Sequence, residues 1–416
     1  MHRRASPSRV RAGTGSDPTP IGNRAEHRSP PHLPGLDGLR AIAVLLVLYN
    51  HAPQLLGDND GSDGWFFRGS PGAWIGVDIF FVLSGFLITN LLLHGSGRPG
   101  ALGRFWWRRA LRIFPLALLY LAVAAAFGQF VPGFAHLGIG TDYAWAASYL
   151  INLHIALHGW TAAALGILWS LAIEEQFYCV WPLAVLRCGK RTLVTALIAL
   201  LAATPLLRAW LLPSIGPTGI YVLTCCRFDT LAAGALLAML WRSPAQPLLQ
   251  RATAWLTLPA IAWLAWVVFA PVPAASPLAP PWFLVVGYSG VAAAAAVVCA
   301  MAIAPPAWLH RWLCHRWLAA IGRISYGLYV WHVLTAEAVA HTFARLWPSA
   351  GLPLRAFTWL GVLFLTATLS YRLYEAPLLR WKDRVTPRPL PTPKPSGAPA
   401  KAAAKALLVD DPVHSE

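Results

Sequence analysis

The sequence predicts an all-α fold, a polytopic transmembrane helical bundle of about ten spanning helices with both termini in the cytoplasm. Three observations lead to this prediction. The 416 residues are 57% hydrophobic and only 12% charged, about half the charged fraction of a typical soluble domain. Ten apolar segments are long enough to cross a bilayer. Lys and Arg cluster at the N-terminus and in several of the even-numbered connections, on one predicted side of the bundle.

The helices follow from segment length, because a spanning helix needs about 20 apolar residues. The ten segments of roughly this length are 39–56, 74–94, 112–131, 168–187, 192–212, 219–241, 254–271, 282–303, 322–343 and 355–378. An apolar stretch near 143–157 is shorter. It is predicted to be a re-entrant or interfacial piece of an outer loop.

Orientation follows from the charge of the connections. The N-terminal tail, the second, fourth and eighth connections and the C-terminal end are basic, whereas the first connection is acidic. The positive-inside rule then places both termini in the cytoplasm. The net charge of +16 has the same explanation, since the clusters lie between apolar segments and form no basic domain face. The expected partner is therefore the lipid bilayer, and no nucleic acid is expected.

The chain divides into a membrane domain and two tails. Residues 1–34 are rich in Arg, Ser, Pro and Gly without apolar periodicity, and they are predicted to be a disordered basic cytoplasmic tail. Residues 35–385 form the transmembrane domain, and the Pro/Ala/Lys-rich stretch 386–416 is a second disordered cytoplasmic tail. The six cysteines form no CxxC pair and have no metal-ligand spacing, so no metal site is expected.

Ionisable side chains inside membrane spans are costly and are functional candidates for that reason. Arg40 and His51 are eleven positions apart in the first span. At 100° per residue the separation is about 1100°, close to three full turns, so both lie on one helix face about 16 Å apart along the axis. Other candidates in the spans are Asp78, Glu174, Glu175, Arg227, Asp229, His332, Arg372 and Glu375.

Four of these candidates are predicted to lie at similar depths in the outer half of the membrane. Counting from the helix ends at about 1.5 Å per residue brings His51, Asp78, Glu174 and Glu175 into one layer. A histidine with carboxylates at low dielectric constant is typical of a general-base site. These four residues are the predicted catalytic group. The alternative is that they pair with one another only to hold the bundle together.

The inner side is predicted to bind an anion. Arg40, Arg108, Arg109 and Arg112 gather near the cytoplasmic ends of the first and third spans, and guanidinium groups bind phosphate well. The alternative is ordinary positive-inside topology. A phosphate-bearing head group held there would place an extended pantetheine arm along the face that Arg40 and His51 share. These arginines are the predicted site for acyl-CoA.

Seven motifs, in order, resemble those of the acyltransferase 3 family of polytopic membrane acyltransferases. The resemblance covers about 35–385. The motifs are LPGLDGLRAIAVLLVLYNHA (33–52), GVDIFFVLSGFLI (76–88), RRALRIFPL (108–116), LWSLAIEEQFYCVWP (168–182), CRFDTLAAGALLA (226–238), ISYGLYVWH (324–332) and YRLYEAPLLR (371–380).

The resemblance implies an activity, which is transfer of an acyl group, acetyl being favoured, from cytoplasmic acyl-CoA to a hydroxyl group. The acceptor class would be a carbohydrate, a glycolipid or a macrolide, at or across the bacterial inner membrane. Acetyl-CoA would be a donor substrate, with no permanently bound cofactor.

The resemblance also implies roles for individual residues. His51 would be the catalytic base, Glu175 or its neighbour Glu174 would orient it, and Arg40 with the arginines of the third span would bind the donor. Members of the family often have Tyr where Leu116 stands. Some carry an extra-cytoplasmic esterase-like domain, and acyl transfer to such a domain would here need a separate partner protein.

A membrane transporter or exporter is the alternative function, because buried ionisable residues also mark ion pathways. Against it, the two halves of the chain show no internal repeat of the kind that many secondary transporters have. His332, beside Trp331, is open to two interpretations, a packing residue or a catalytic one. The long outer loop of about 132–166 is the expected place for acceptor specificity.

Overall fold

The structure, a computed structural model, describes residues 33–56, 72–95, 100–270 and 275–385. These residues form helices and turns, with no strand among them, which confirms the all-α prediction for this part of the chain. The predicted tails 1–34 and 386–416 lie outside the described residues, except for Leu33 and for Pro34, which begins the first helix. The acidic first connection also lies outside them.

Sixteen α-helices occur in the described residues. They are α1 Pro34–Leu56, α2 Ile75–Gly95, α3 Ala101–Phe130, α4 Thr141–Ala147, α5 Ile151–His158, α6 Ala163–Gly166, α7 Trp169–Arg187, α8 Lys190–Val222, α9 Phe228–Trp241, α10 Gln246–Phe269, α11 Tyr288–Ile303, α12 Ala307–Leu313, α13 Arg316–Arg323, α14 Ser325–Leu346, α15 Leu352–Ser370 and α16 Ala376–Val385. Short 3₁₀-helices occur at Ala135–Leu137 and Thr224–Arg227, and π-helices at Phe283–Gly287 and Tyr371–Glu375.

Six helical stretches in the described residues are long and apolar enough to cross a membrane. They are Ile75–Gly95, Ala101–Phe130, Lys190–Val222, Gln246–Phe269, Phe283–Ile303 and Leu352–Lys382. The count of about ten spans and the orientation of the termini therefore stay predictions. Several of the other predicted spans fall in helices that carry charged residues, such as α1 with Asp37 and Arg40, or in helices that are interrupted.

The outer surface of the bundle is apolar. Large hydrophobic side chains stay exposed on α8, α10 and α15, among them Trp210 (74%), Trp255 (84%) and Phe357 (78%). A soluble monomer rarely leaves so much apolar surface in contact with water. Lipid chains provide the environment that these side chains need.

The predicted span 219–241 differs most from the structure. The preceding helix α8 is interrupted at Gly216, whose φ of 64° lies in the left-handed region, and it ends at Val222. A 3₁₀ turn follows, and α9 begins only at Phe228. Arg227, at the end of this turn, is fully buried. The break therefore occurs where the chain places a charged side chain in the core, a feature that hydropathy alone does not reveal.

Helix α2 lies at the centre of the bundle, packed against α1, α7, α9 and α11. Its closest approach is to α9, where Gly85 faces the Leu231 carbonyl and Gly234 faces the Val82 carbonyl. Glycines allow two helix backbones to come this close. Helix α1 also packs against α13 and α14. These contacts bring α1, α2, α3, α7 and α14 around one space in the bundle.

The stretch near 143–157 forms two short helices, α4 and α5, separated by Tyr149, which has a positive φ of 57°. Gln176 of α7 donates hydrogen bonds to the Tyr149 carbonyl (2.8 Å) and to Asn152 Oδ1 (2.9 Å). Asn152 in turn donates to the Val222 carbonyl (3.3 Å). The turn between α4 and α5 is thus held at the level of the middle of α7.

Candidate active site

A cavity of about 130 Å³ lies between α1, α2, α3, α7 and α14. Its walls follow helical periodicity, since residues three and four apart lie on one face. Helix α2 contributes seven residues, Val77, Phe80, Phe81, Leu83, Ser84, Leu87 and Ile88. Helix α7 contributes Ser170, Leu171, Glu174 and Tyr178, and α14 contributes Ser325, Tyr326 and Tyr329.

Three arginines line this cavity, and we call Arg40, Arg109 and Arg112 the inner arginine cluster. Arg40 of α1 forms an ion pair of 3.1 Å with Asp37, one turn earlier. The Arg109 guanidinium lies 5.6 Å from the centre of the Tyr178 ring, within the range of a cation–π contact. Three of the four predicted donor-site arginines are thereby brought together.

Arg108 is the predicted arginine that does not line the cavity. Adjacent helix positions point about 100° apart, so a face that carries Arg109 turns its neighbour away. Arg108 is exposed. Its predicted role in donor binding stays a prediction.

The same periodicity separates the two glutamates. Glu174 faces the cavity, where its carboxyl group interacts with Ser84 and electrostatically with the inner arginine cluster. Glu175 is buried outside the cavity lining, and its Oε1 has no hydrogen-bond partner among the described residues. Glu175 interacts electrostatically with Glu174 and Arg109, and also with Tyr149 at the turn between α4 and α5.

His51 contacts a second histidine. Its ring lies 5.0 Å from that of His332 between centroids, with the ring planes 62° apart. His51 Nδ1 donates a hydrogen bond to the Val47 carbonyl (2.9 Å), and His332 Nδ1 donates to the Tyr329 carbonyl. In neutral rings with these bonds, the proton is on Nδ1 and the lone pair is on Nε2.

Tyr329 connects the cavity to this pair of histidines. Its ring is part of the cavity wall, and it also lies 5.6 Å from the His332 ring between centroids. Its hydroxyl group donates to the Ile167 carbonyl (2.9 Å) and lies 2.6 Å from Ser170 Oγ. Arg40 therefore lines the cavity, whereas His51 and His332 are not among its lining residues and the wall residue Tyr329 contacts His332.

Asp78 belongs to a different group of charges. It forms a fully buried ion pair with Arg227, next to a second buried pair in which Arg208 contacts Asp229 at 2.9 Å. The Arg227 guanidinium also lies 4.8 Å from the centre of the Tyr288 ring. The structure thus brings Asp78 to Arg227 and not to His51. The catalytic role predicted for Asp78 stays a prediction.

Sequence reasoning missed the tyrosines that line the cavity. Tyr178 follows Glu174 by four residues and so shares its helix face, and its hydroxyl group is hydrogen-bonded to Ser84. Tyr326 and Tyr329 are three apart in α14 and share the face that reaches the cavity. The helical spacing from Glu174 could have identified Tyr178. Among the described residues, no group of three or more His, Cys, Asp or Glu side chains is placed to hold a metal ion.

Comparison with known proteins identifies a family of sequences that shares this framework. The family model described as an acyltransferase domain matches residues 33–375, a range that contains the cavity and both histidines. No solved structure matches the chain.

Three curated relatives illustrate the similarity. The peptidoglycan O-acetyltransferase OatA of Listeria monocytogenes is 30% identical over 381 residues, which are 85% of this chain and 57% of that protein. A putative peptidoglycan O-acetyltransferase of Bacillus subtilis, YrhL, is 30% identical over 72% of this chain and 48% of its own length. The O-acetyltransferase OatA of Staphylococcus aureus is 28% identical over 84% of this chain and 58% of its length. The chain therefore spans about half of the length of these relatives.

Proposed function

The chain belongs to the acyltransferase 3 family, and from this premise we propose that it is a membrane O-acyltransferase. It transfers an acetyl group from cytoplasmic acetyl-CoA to a hydroxyl group of a carbohydrate or glycolipid acceptor. The observation that carries this proposal is a cavity that holds the inner arginine cluster and whose wall residue Tyr329 contacts His332, the ring partner of His51.

The charge of the cavity favours an anionic ligand. Three guanidinium groups line it, and the carboxylate that lines it with them is that of Glu174. The balance is positive, so a phosphate group at the mouth gains charge-assisted hydrogen bonds. Coenzyme A carries such phosphates on its nucleotide. We assign the phosphates to the inner arginine cluster.

The length of the donor molecule matches the separation of Arg40 and His51 along α1. Arg40 and His51 are about 16 Å apart along α1, which is close to the length of an extended pantetheine arm. A cavity of about 130 Å³ admits the thioester end of the arm and leaves the nucleotide outside. The thioester carbonyl then reaches the wall formed by Ser170 and Tyr329.

His51 supplies the base. Because Nδ1 donates to the Val47 carbonyl, Nε2 keeps the lone pair that takes the proton of the acceptor hydroxyl. The acceptor oxygen forms a bond to the thioester carbonyl carbon, and the carbon–sulfur bond breaks. The proton passes from His51 to the departing thiolate, so the products are an acetyl ester and free coenzyme A.

The acceptor class follows from the relatives. Two of the matched proteins are named as peptidoglycan O-acetyltransferases, one of them putative, and a glycan hydroxyl is the acceptor that we propose here. A glycan outside the bacterial inner membrane would receive the acetyl group on the side opposite the donor. The outer loop 132–166 and a separate extra-cytoplasmic protein are the proposed means of presenting or receiving it.

The test uses purified full-length protein in detergent with acetyl-CoA labelled in the acetyl group. We expect the wild type to cleave the thioester slowly in water and faster with a glycan acceptor. His51→Ala should abolish turnover, lowering it by at least about 10²-fold, while acetyl-CoA binding is retained. Arg40→Ala and Arg109→Ala should weaken acetyl-CoA binding. Turnover is followed by release of coenzyme A, and binding by calorimetry.

The matched controls are exposed residues of the same type. His310→Ala and Arg345→Ala remove an exposed histidine and an exposed arginine that lie outside the cavity lining. Both variants should behave as the wild type. Unchanged turnover in His51→Ala contradicts the proposed mechanism.

The alternative function, a transporter or exporter, gives a different result in the same assay. A transporter leaves the thioester intact and moves solute in proteoliposomes. If the wild-type protein does not cleave acetyl-CoA, whether or not it binds it, the result would therefore favour transport over transfer.

A further inference from the structure

We propose that His332 is a positioning residue for the transfer reaction, which accepts a hydrogen bond from His51 when His51 holds the substrate proton. The two imidazoles then act as a pair that shares one proton. This inference rests on the proposed function, because it takes His51 as the base. It adds a second histidine, contributed by α14, to that function.

The first observation is the contact between the rings. The His51 and His332 rings are 5.0 Å apart between centroids and meet at 62°, an edge-on arrangement in which a ring edge of one approaches the other. They come from α1 and α14, which pack directly against each other. His51 is half-buried, whereas His332 is fully buried.

The second observation is the hydrogen bonding that fixes both rings. Each Nδ1 donates to a backbone carbonyl of its own helix, His51 to Val47 and His332 to Tyr329. Each Nε2 therefore lies on the part of the ring away from the carbonyl that its own Nδ1 contacts. Both nitrogens are acceptors while the rings are neutral.

The third observation is an unmet hydrogen bond. His332 Nε2 is buried and has no hydrogen-bond partner among the described residues. Buried polar atoms without a partner are rare in folded proteins and call for an explanation. A proton that arrives on His51 Nε2 would supply the missing donor. The unpartnered lone pair is thus explained by a state of the protein that exists during the reaction.

The surroundings hold His332 firmly in this position. Its backbone carbonyl accepts a hydrogen bond of 3.0 Å from Trp359 Nε1 on α15. Thr335 donates to the same carbonyl at 3.1 Å. Tyr329, the titratable side chain whose ring also contacts His332, presents its hydroxyl group to Ser170 and the Ile167 carbonyl instead.

The proton balance of the step is simple. The acceptor hydroxyl loses its proton to His51 Nε2 as the new carbon–oxygen bond forms. While the proton is on His51 Nε2, this N–H is shared as a three-centre hydrogen bond between the reacting oxygen or sulfur and His332 Nε2. The sharing stabilises the positive charge on His51 in a region where burial makes an unpaired charge costly. The proton then leaves His51 for the thiolate as the carbon–sulfur bond breaks, and both rings are neutral again.

The test compares three substitutions that separate the hydrogen-bond acceptor of the His332 ring from its shape. His332→Gln keeps an acceptor near the position of Nε2, His332→Asn keeps only a polar group near the position of Nδ1, and His332→Phe keeps only the ring shape. We expect kcat to fall by at least about tenfold in the Asn and Phe variants, as for the loss of acid–base assistance. KM for acetyl-CoA should stay unchanged, and Gln should restore a large part of kcat.

The control is another histidine of α14. His341 lies nine residues after His332 in α14, and its ring contacts Phe134. The variant His341→Gln should retain wild-type kcat. Thermal unfolding of each variant identifies any that fail to fold, and the comparison of Gln with Asn remains if the Phe variant does. A packing role for His332 predicts instead that Asn or Phe restores kcat as well as Gln does, which would overturn the inference.

The two proposals fail in different ways. If His51→Ala retains turnover, His51 is not the base, and both the proposed function of His51 and the role inferred for His332 are wrong. If His51 is required but every His332 variant keeps wild-type kcat, only the inference about His332 is wrong.

Discussion

The ion pair of Asp78 and Arg227 has no exposed surface on either side chain. Removing one partner from such a pair leaves a buried charge, which costs about 3–5 kcal/mol, whereas replacing both by apolar residues is often neutral. Arg227 is held further by the Tyr288 ring. These contacts give Asp78 a buried partner on which the stability of the fold depends, and its predicted catalytic role stays a prediction.

Arg227→Met should therefore lower the Tm of the detergent-solubilised protein, and Asp78→Leu combined with Arg227→Met should restore most of it. Thermal unfolding is followed by the loss of the monodisperse peak on gel filtration. Arg242→Met, which removes an exposed arginine, is the control and should leave Tm unchanged. If Asp78 is catalytic, the double variant will regain Tm without regaining turnover.

The sequence predicts single residues better than pairs of residues. The prediction that Arg40 and His51 share one helix face depends only on helix geometry, and both residues lie in α1 as expected. Partners depend on which helices pack together, and the sequence does not state this. His51 contacts His332 from α14, and Asp78 contacts Arg227 from the turn before α9.

Helix α2 approaches α9 so closely that the two glycines at the contact leave no room for a side chain. A Cβ atom on Gly85 would meet the Leu231 carbonyl, and one on Gly234 would meet the Val82 carbonyl. Backbone atoms on packed helices cannot move aside as a flexible side chain can. The contact therefore fixes the separation of the helices that carry Ser84 and Asp229.

Gly85→Ala and Gly234→Ala should each lower Tm and reduce turnover, because the helices must separate. The matched control is Gly361→Ala in α15, where a Cβ atom meets nothing within 4 Å. That variant should keep or raise Tm, since Ala favours a helix over Gly by about 1 kcal/mol. Equal effects at Gly85 and Gly361 would mean that the close contact does not limit stability.

Helix existence was easier to predict than helix ends. The segment 74–94 matches α2 closely, because its apolar run is long and uninterrupted. Helix α3 begins at Ala101, eleven residues before the predicted 112, because a helix continues through the arginines of its first turns. The break before α9 escapes hydropathy entirely, since it depends on the burial of Arg227.

At the scale of the whole molecule, the inner arginine cluster can be assigned to one end of the helical bundle. The Trp106 indole donates to the Tyr178 carbonyl at 2.9 Å, so the start of α3 and the second half of α7 lie at the same end of the bundle. Arg109 and Tyr178 meet there. Cys188 follows α7 directly. Cys188 therefore lies at the end of the bundle that is nearer to Arg109 and the inner arginine cluster.

This relation makes topology a test of donor entry. In a background without the other cysteines, a membrane-impermeant maleimide should label the exposed Cys188 in inverted vesicles and not in intact spheroplasts. Leu278→Cys, at an exposed position between α10 and α11, should show the reverse pattern, because that connection is predicted to be outside. Labelling of Cys188 in spheroplasts would place the arginine cluster at the outer face. Acyl-CoA is made in the cytoplasm, so that outcome would contradict the proposed donor, whatever the activity of the purified protein.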